Sequence, residues 1–482
     1  MKRPNVVFVF GDQWRAQATG YAGNPTVRTP NLDRLAGECV NFSHAVAGFP
    51  VCSPYRASLL MGQFPLTHGV FVNDVPLEPK GPSIAEAFAA NGYETAYIGK
   101  WHVDGHGRSE YIPRERQLGF EYWKVLECTH TYNQSAYYAG NSDEKLFWEG
   151  YDAIAQTRDA QAYICDHSRG HDHGRPFFLM LSWGPPHAPY GTAPEEYRAL
   201  YDPDEIVLRP NVPVEDVQRS KEEQAQRFAA RAKTDPRFKG ASQRRQIPTI
   251  EEDLAGYYAH CTALDACVGD LLATLQECGL AENTIFVFTS DHGDMLGSQG
   301  AFKKQQPWEE SVRVPFLLSY PGLLGTKGRE VNAPIDAPDI MPTLLGLCGF
   351  EIPESVEGLD YSGYLQGGDD PSDGAALIMC PHPFGQWSAV RHEGREYRGL
   401  RTQRYTYTRT LQGPWLLYDN LADPYQLENL VDQPAYAETV RELDAWLQRR
   451  LDAMGDEFLP GSVYIERWGW EVDETGTVRW TW

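Results

Sequence analysis

No stretch of this chain approaches the roughly 18 consecutive apolar residues that a membrane-spanning helix requires. The N-terminus, MKRPNVVFVFGDQ, has two basic residues and then only six mostly apolar ones before Gly11-Asp12, too few for the core of a secretory leader. A soluble, cytoplasmic protein is expected, or an exported one whose leader has been removed. Paired cysteines are missing as well. The nine present are scattered, odd in number and without a Cys-x-x-Cys, so neither a zinc knuckle nor a disulfide framework is indicated, and reduced thiols are expected. Basic residues are scarce, 43 Lys and Arg against 66 Asp and Glu, for a net charge of -23. The acids are spread out rather than gathered in a tail, which speaks against a surface for nucleic acid or anionic lipid. An anionic substrate would then need a local basic pocket. The sequence has no internal repeat or low-complexity tract either. What remains is an ordinary globular composition over 482 residues, 42% hydrophobic and 23% charged, enough for one large domain and a smaller one.

Continuous β-branched and aromatic runs stand at NVVFVF (5–10), YETAYIG (93–99), PFFLMLSW (176–183) and TIFVFTS (284–290). Such runs suit strands covered on both faces of a parallel sheet. Helical patterns lie between them: SIAEAFAANG (83–92) ends on a glycine stop signal, and DLAGYYAHCTALDACVGDLLATLQECG (253–279) keeps a long helical period. The alternation predicts an α/β fold, a large, mostly parallel sheet sandwiched by helices. Each run ends in a loop carrying charge or imidazole: Asp12-Gln13, Lys100-Trp101-His102, Pro186-His187 and Asp291-His292. Ligand crevices of open α/β sheets lie beyond the carboxyl ends of the strands, so four loops remote in sequence are expected to meet at one site.

From about 205 to 250 the chain turns polar, and QRSKEEQAQRFAARAKTDPRFKG reads as an exposed, partly helical insertion. After about 385 the texture changes. REYRGLRTQRYTYTRT and PWLLYDN suggest antiparallel strands, and AETVRELDAWLQRRLDAM one amphipathic helix. This predicts a larger domain over 1–384 and a small α+β domain with an antiparallel sheet over 385–482, its aromatic ending VYIERWGWEVDETGTVRWTW folding as a final hairpin. Asn73 and Asp74 could line a leaving-group pocket or simply make a turn. His382 and Trp387, in PHPFGQW, could offer a stacking platform for a sugar ring or pack between domains, and His167, His171 and His173 read as an exposed loop.

The stretch VCSPYRASLL (51–60) carries the sharpest signal. Ser53 suits an N-cap and Pro54 the first helical position, so a helix should run to Gly62 with Cys52 just outside its N-terminus. Partial positive charge and free N–H groups there favour a thiolate or a bound anion. On local grounds alone, a buried structural cysteine beside a Leu-rich helix stays open.

CSPYRASLLMGQFPLTHGV resembles the signature of the sulfatase family, Cys-x-Pro-x-Arg, with Cys52, Pro54 and Arg56 in the matching positions. The resemblance continues in order through FVFGDQ, GKWHVDG (99–105), PPHAPY (185–190), TSDHGDMLGSQGAFKKQQPWEESVRVP (289–315) and the C-terminal RGLRTQRYTYTR and LYDNLADPYQLENL. It implies an alkaline-phosphatase-like fold and conversion of Cys52 to formylglycine by a formylglycine-generating enzyme. The activity it implies is hydrolysis of an organic sulfate ester; the C-terminal blocks resemble those of carbohydrate sulfatases. A thiol would be trapped by the sulfate it accepts, whereas a hydrated aldehyde has a second hydroxyl to expel it.

The same resemblance implies a ligand set for one divalent ion: Asp12, Gln13, Asp291, His292 and the oxygen of converted Cys52. Oxygen donors favour Ca2+, and the imidazole makes Mn2+ the alternative. His292 stands where many sulfatases have asparagine and resembles choline sulfatases and phosphonate monoester hydrolases. A phosphonate monoester or phosphodiester hydrolase using the same nucleophile is therefore the second reading. Arg56 is implied to hold the formylglycine and the metal carboxylates, and Lys100 and His102 to orient the gem-diol and take its second proton. His187 and Lys304 are implied to contact the sulfate, Lys304 being preferred to Lys303 from the alignment of GSQGAFKKQ.

Overall fold

The computed structural model describes residues 3–170, 174–231, 247–388 and 394–481, with the side chains of 227–231 set aside. NVVFVF forms most of strand β1 (Asn5–Asp12), buried along its whole length. Val6, Phe8 and Phe10 join one hydrophobic cluster and Val7 and Val9 another, because successive strand side chains point to opposite faces. Burial on both sides is why the run is apolar without alternation.

The other strands of the main sheet are β2 (Val40–Phe42), β3 (Glu94–Lys100), β4 (Tyr122–Leu126), β5 (Ala136–Ala139), β6 (Leu146–Phe147), β7 (Phe177–Pro186), β8 (Thr284–Ser290), β9 (Phe316–Ser319) and β10 (Arg329–Val331). They lie in the order β10-β2-β9-β8-β1-β7-β3-β4-β5-β6. The run β8-β1-β7-β3-β4 is parallel throughout and holds all four strands expected from the sequence. The helices Cys52–Met61 and Ala337–Leu347 bury their apolar residues in the Val6 cluster, and Asp152–Ser168 and Ile250–Glu277 in the Val7 cluster. The helix Ile84–Ala90 is fixed by a capping box between Ser83 and Glu86.

A separate antiparallel sheet comprises β11 (Ala375–Cys380), β12 (Tyr397–Thr402), β13 (Tyr405–Thr410) and β14 (Gly413–Asp419). The helix Ala437–Met454 lies against it and buries Val440, Leu443, Leu447 and Leu451, one stripe at helical spacing. β11 lies upstream of residue 385; its AALIMC is buried throughout and has the same uninterrupted apolar texture as the main-sheet strands.

Three local expectations are corrected. The helix begins at Cys52 itself, with extended Val51 as N-cap, and Ser53 lies inside the first turn with its hydroxyl unpartnered. Its N–H donates to the Asn73 Oδ1 at 3.2 Å, so a neighbouring loop meets the need that a cap would have met. The aromatic ending is a helix, Gly461–Trp468, because Tyr464 and Ile465 are buried by helical packing, and only a short turn bridged by Val472 and Val478 follows it. His167 sits in the helix Asp152–Ser168 and pairs with Glu94 at 3.0 Å rather than in an exposed loop. His171, His173 and the second half of the polar insertion lie outside the described residues, the first half being the helix Val214–Arg231. Among the described residues, no helix is long and apolar enough to cross a membrane.

Candidate active site

Because β8, β1, β7 and β3 are adjacent and parallel, their carboxyl ends open on one crevice. β1 delivers Asp12, β8 leads into Asp291 and His292, β7 into His187, and β3 delivers Lys100 and then His102. Gln13 (φ 72°) and His102 (φ 62°) turn the chain in the left-handed region directly after their strands, the kind of strain that collects at functional sites. Gly99 allows β3 to close on β7: a Cβ there would stand 2.0 Å from the Ser182 carbonyl oxygen.

One ligand atom each from Asp12, Cys52, Asp291 and His292 lie within 4.8 Å of one another, all buried. Cys52 Sγ is 3.2 Å from His292 Nε2 and 3.7 Å from Asp12 Oδ1. The His292 Nδ1 lies 2.9 Å from the Gly293 carbonyl, which can only accept, so Nδ1 carries a proton and Nε2 is the nitrogen turned to the cluster. Burial, and then Asp12, push the Asp291 carboxyl above its ordinary range. Two carboxylates, an imidazole nitrogen and a sulfur converging in a buried crevice form a donor set that fits a divalent cation. Gln13 gives its N–H to Asp291 Oδ1 at 3.0 Å, its side-chain amide N–H2 faces Asp294 and Tyr190, and its buried Oε1 has no partner.

Arg56, one turn into the helix and 1% exposed, ties these strand ends together. Its guanidinium donates to Asp291 Oδ2 at 3.0 and 3.1 Å, Asp12 Oδ2 at 3.4 Å, the Lys100 carbonyl at 2.8 Å and Ser182 Oγ at 2.7 Å. Lys100 pairs with Asp12. Burial alone would raise Asp12, but Lys100, His187, Lys304 and His292 outweigh it and hold the carboxyl well below the usual range.

The crevice opens into a cavity of about 400 Å³, lined among others by Cys52, Asn73, Lys100, His102, His187 and Lys304. The Lys304 ammonium is 2.9 Å from Cys52 Sγ. Burial and then Lys304 push His187 well below the ordinary histidine range, and its ring stacks on His130 at 4.6 Å. Behind His102, Nε2 faces Asp74 Oδ1 at 3.4 Å, and Arg108 clamps Asp74 with two bonds of 2.8 Å. Burial pushes His102 down, yet Cys128 and Asp74 together raise it well above its ordinary value.

His382 and Trp387 do not line this cavity. Trp387 is 7% exposed and meets Trp308 edge-on at 6.1 Å, while His382 packs against Gly461 and Gly476, so the apolar ring and the imidazole serve packing. Their neighbours Phe384, Gly385 and Gln386 reach the cavity instead. The sequence reading also missed His130, Arg108 and the terminal turn, of which Asp473, Glu474, Thr475, Thr477, Arg479 and Trp480 line the wall. The Asp-x-Thr-Gly-Thr turn was a legible local signal: Asp473 Oδ1 accepts from Thr475 N at 2.8 Å and Thr477 N at 3.2 Å. What pins it beside the crevice was not legible, namely the Arg108 N–H donating to the Thr481 carbonyl at 2.8 Å and Arg108 lying 4.1 Å over the Trp480 ring.

The sequence model of the sulfatase family matches residues 4–350, and that of the N-sulphoglucosamine sulphohydrolase C-terminal region matches residues 297–453. The ulvan-active sulfatase of Formosa agariphila is 44% identical over 470 residues, 97% of this chain and 85% of that protein. The crystal structure of the yidJ protein of Bacteroides fragilis superposes with a TM-score of 0.79 at 29% identity, covering 96% of this chain and 98% of that one. The phosphonate monoester hydrolase of Silicibacter pomeroyi shares the fold, with a TM-score of 0.72 at 24% identity over 95% of this chain and 96% of that one.

Proposed function

The chain belongs to the sulfatase family and is a sulfuric ester hydrolase, and from that premise we propose that it releases sulfate from a sulfated carbohydrate with formylglycine at position 52. The observation that carries this reading is the convergence at Cys52 of two carboxylates, an imidazole and the Lys304 ammonium at 2.9 Å. Formylglycine, made from Cys52 by a formylglycine-generating enzyme, would supply a hydrated aldehyde: one hydroxyl attacks sulfur as the bond to the alcohol oxygen breaks, and the other loses its proton to re-form the aldehyde as the carbon–oxygen bond to sulfate breaks. A divalent ion, Ca2+ or alternatively Mn2+, held by Asp12, Asp291, His292 and the Gln13 amide oxygen, supplies positive charge beside the nucleophile.

Around it, Arg56 keeps both carboxylates aimed at one point. Lys304 and His187 bind the tetrahedral anion and orient its ester oxygen, His187 polarising or protonating the leaving alcohol. Lys100 and His102 orient the nucleophile, and His102 takes the proton whose removal ejects sulfate. The sugar half of the ester is supported by the ulvan-active relative at 44% identity and by the cavity beyond the crevice, whose wall carries Asn73, Gln386, Thr475 and Thr477.

The deciding experiment is turnover of protein matured to the aldehyde on nitrophenyl sulfate, sulfated mono- and oligosaccharides, and phenylphosphonate esters. Sulfate release from a sugar is the expected result, and faster cleavage of the phosphonate esters would establish the alternative. Incubation with EDTA is expected to abolish turnover, with recovery on adding Ca2+ or Mn2+; full activity in excess chelator would remove the metal from the mechanism. Asp74→Asn is expected to move the acid limb of the kcat profile to lower pH by about one unit. Losing the carboxylate disfavours the imidazolium, so the neutral base persists at lower pH. An unmoved limb would remove His102 as that base.

A further inference from the structure

The chain carries a net charge of -23, yet five cationic side chains line its cavity, Lys100, Arg108, Lys303, Lys304 and Arg479, against three acids, Asp74, Asp473 and Glu474. Three of the cations are committed. Lys100 pairs with Asp12, Arg108 with Asp74, and Lys304 reaches Cys52. The side chains of Lys303 and Arg479 make no hydrogen bond or ion pair among the described residues. Of the acids, Asp74 is held by Arg108 and Asp473 is occupied in its own turn, which leaves only Glu474.

Lys303 is placed by its backbone. Successive side chains of an extended chain point to opposite sides, but Lys303 (φ 63°) and Gln305 (φ 82°) turn the loop so that both lysines line the cavity. Asp294 Oδ1 accepts from the Lys303 N–H at 3.1 Å, and the Lys303 carbonyl accepts from Met295 N–H at 2.8 Å, which hold that conformation. Burial and then Lys304 push the Lys303 ammonium below its ordinary value, a condition that a nearby anion relieves.

Resting on the sulfatase reading above, we propose that Lys303 and Arg479 form a second anion subsite, and that the substrate is a sulfated sugar bearing another negative group, a carboxylate or a second sulfate, beside the ester that is cleaved. Lys304 and His187 hold the sulfate to be released. Lys303 and Arg479, remote from each other in sequence, hold the other charge, and the Gln386 Oε1, buried at the cavity wall without a partner, accepts from a ring hydroxyl.

The test compares kcat/KM of the matured enzyme on a sulfated methyl glycoside and on its counterpart carrying a carboxylate at C5, with a disulfated glycoside as a third arm to show which anion is preferred. The wild type is expected to prefer a doubly charged sugar by at least about tenfold. Lys303→Gln, Arg479→Gln and the double variant are expected to lower that ratio stepwise, mostly through KM, while Lys303→Arg retains most of it. A ratio near one in the wild type, no turnover of either doubly charged sugar, or variants that lose both substrates in parallel would overturn the subsite. Nitrophenyl sulfate, assayed in the same preparations, reports separately whether the sulfatase reading itself stands.

Discussion

Cys52→Ala is expected to lower sulfate ester turnover by about four orders of magnitude or more, the scale seen when a covalent nucleophile is removed. Folding stability should change by no more than about 1 kcal/mol. The two outcomes separate because of what surrounds the side chain. Cys52 is buried at the first turn of its helix, but its neighbours do not depend on it. Asp12 keeps Lys100 and Arg56, Asp291 keeps Arg56 and the Gln13 N–H, and His292 keeps the Gly293 carbonyl. His292 and Asp12 lose the sulfur but keep these partners, and the Lys304 ammonium, which loses it too, faces the cavity, where water replaces the sulfur. Protein made without aldehyde-forming maturation should behave like the alanine variant, folded and inactive. Turnover of nitrophenyl sulfate by either form at the rate of the matured enzyme would eliminate formylglycine as the nucleophile, and a collapse of the melting temperature would show that the site is a structural keystone.

The strands that position this site were legible because physics leaves them little freedom. A strand buried on both faces must be apolar throughout, so NVVFVF and TIFVFTS stood out, and their abrupt endings in Asp12 and Asp291 marked where the sheet stops and the crevice begins. Lys100, His102 and His187 followed from the same rule. Features set by tertiary contact were not legible. Ser53 has the right chemistry for an N-cap, but Asn73 from another loop satisfies its N–H and the helix starts two residues earlier than that cap would place it. Of the two readings open for Trp387, a stacking platform or packing, the ring is spent on packing against Trp308, whereas Trp480 reaches the cavity. Local pattern could not tell these two tryptophans apart, because the difference lies in which loop Arg108 grips. The alignment of GSQGAFKKQ singled out Lys304 for the sulfate and gave Lys303 no role. Alternation along an extended loop would send it away from Lys304, and only its positive φ brings both to one wall.

The largest effect on stability is expected at Arg56. Arg56→Met should destabilise the metal-free protein by about 3–5 kcal/mol, the scale of breaking a buried ion pair by removing one partner. Methionine fills part of the volume but leaves the Asp291 and Asp12 carboxylates, the Lys100 carbonyl and Ser182 Oγ facing an apolar side chain in a site closed to water. The Phe10 ring, 4.9 Å from the guanidinium, loses its cation as well. Arg56→Lys separates charge from geometry: one ammonium can neutralise a carboxylate but cannot span Asp291, Ser182 and the Lys100 carbonyl at once, so it should recover part of the stability and little of the activity. Saturating Ca2+ or Mn2+ should restore melting temperature to the methionine variant more than to the wild type, because the ion takes over neutralisation of the same two carboxylates. Equal melting temperatures for Arg56→Met and wild type in EDTA would mean that Asp12 and Asp291 do not carry their charges in the folded state, and the cluster would then lack the anionic character that a cation site requires.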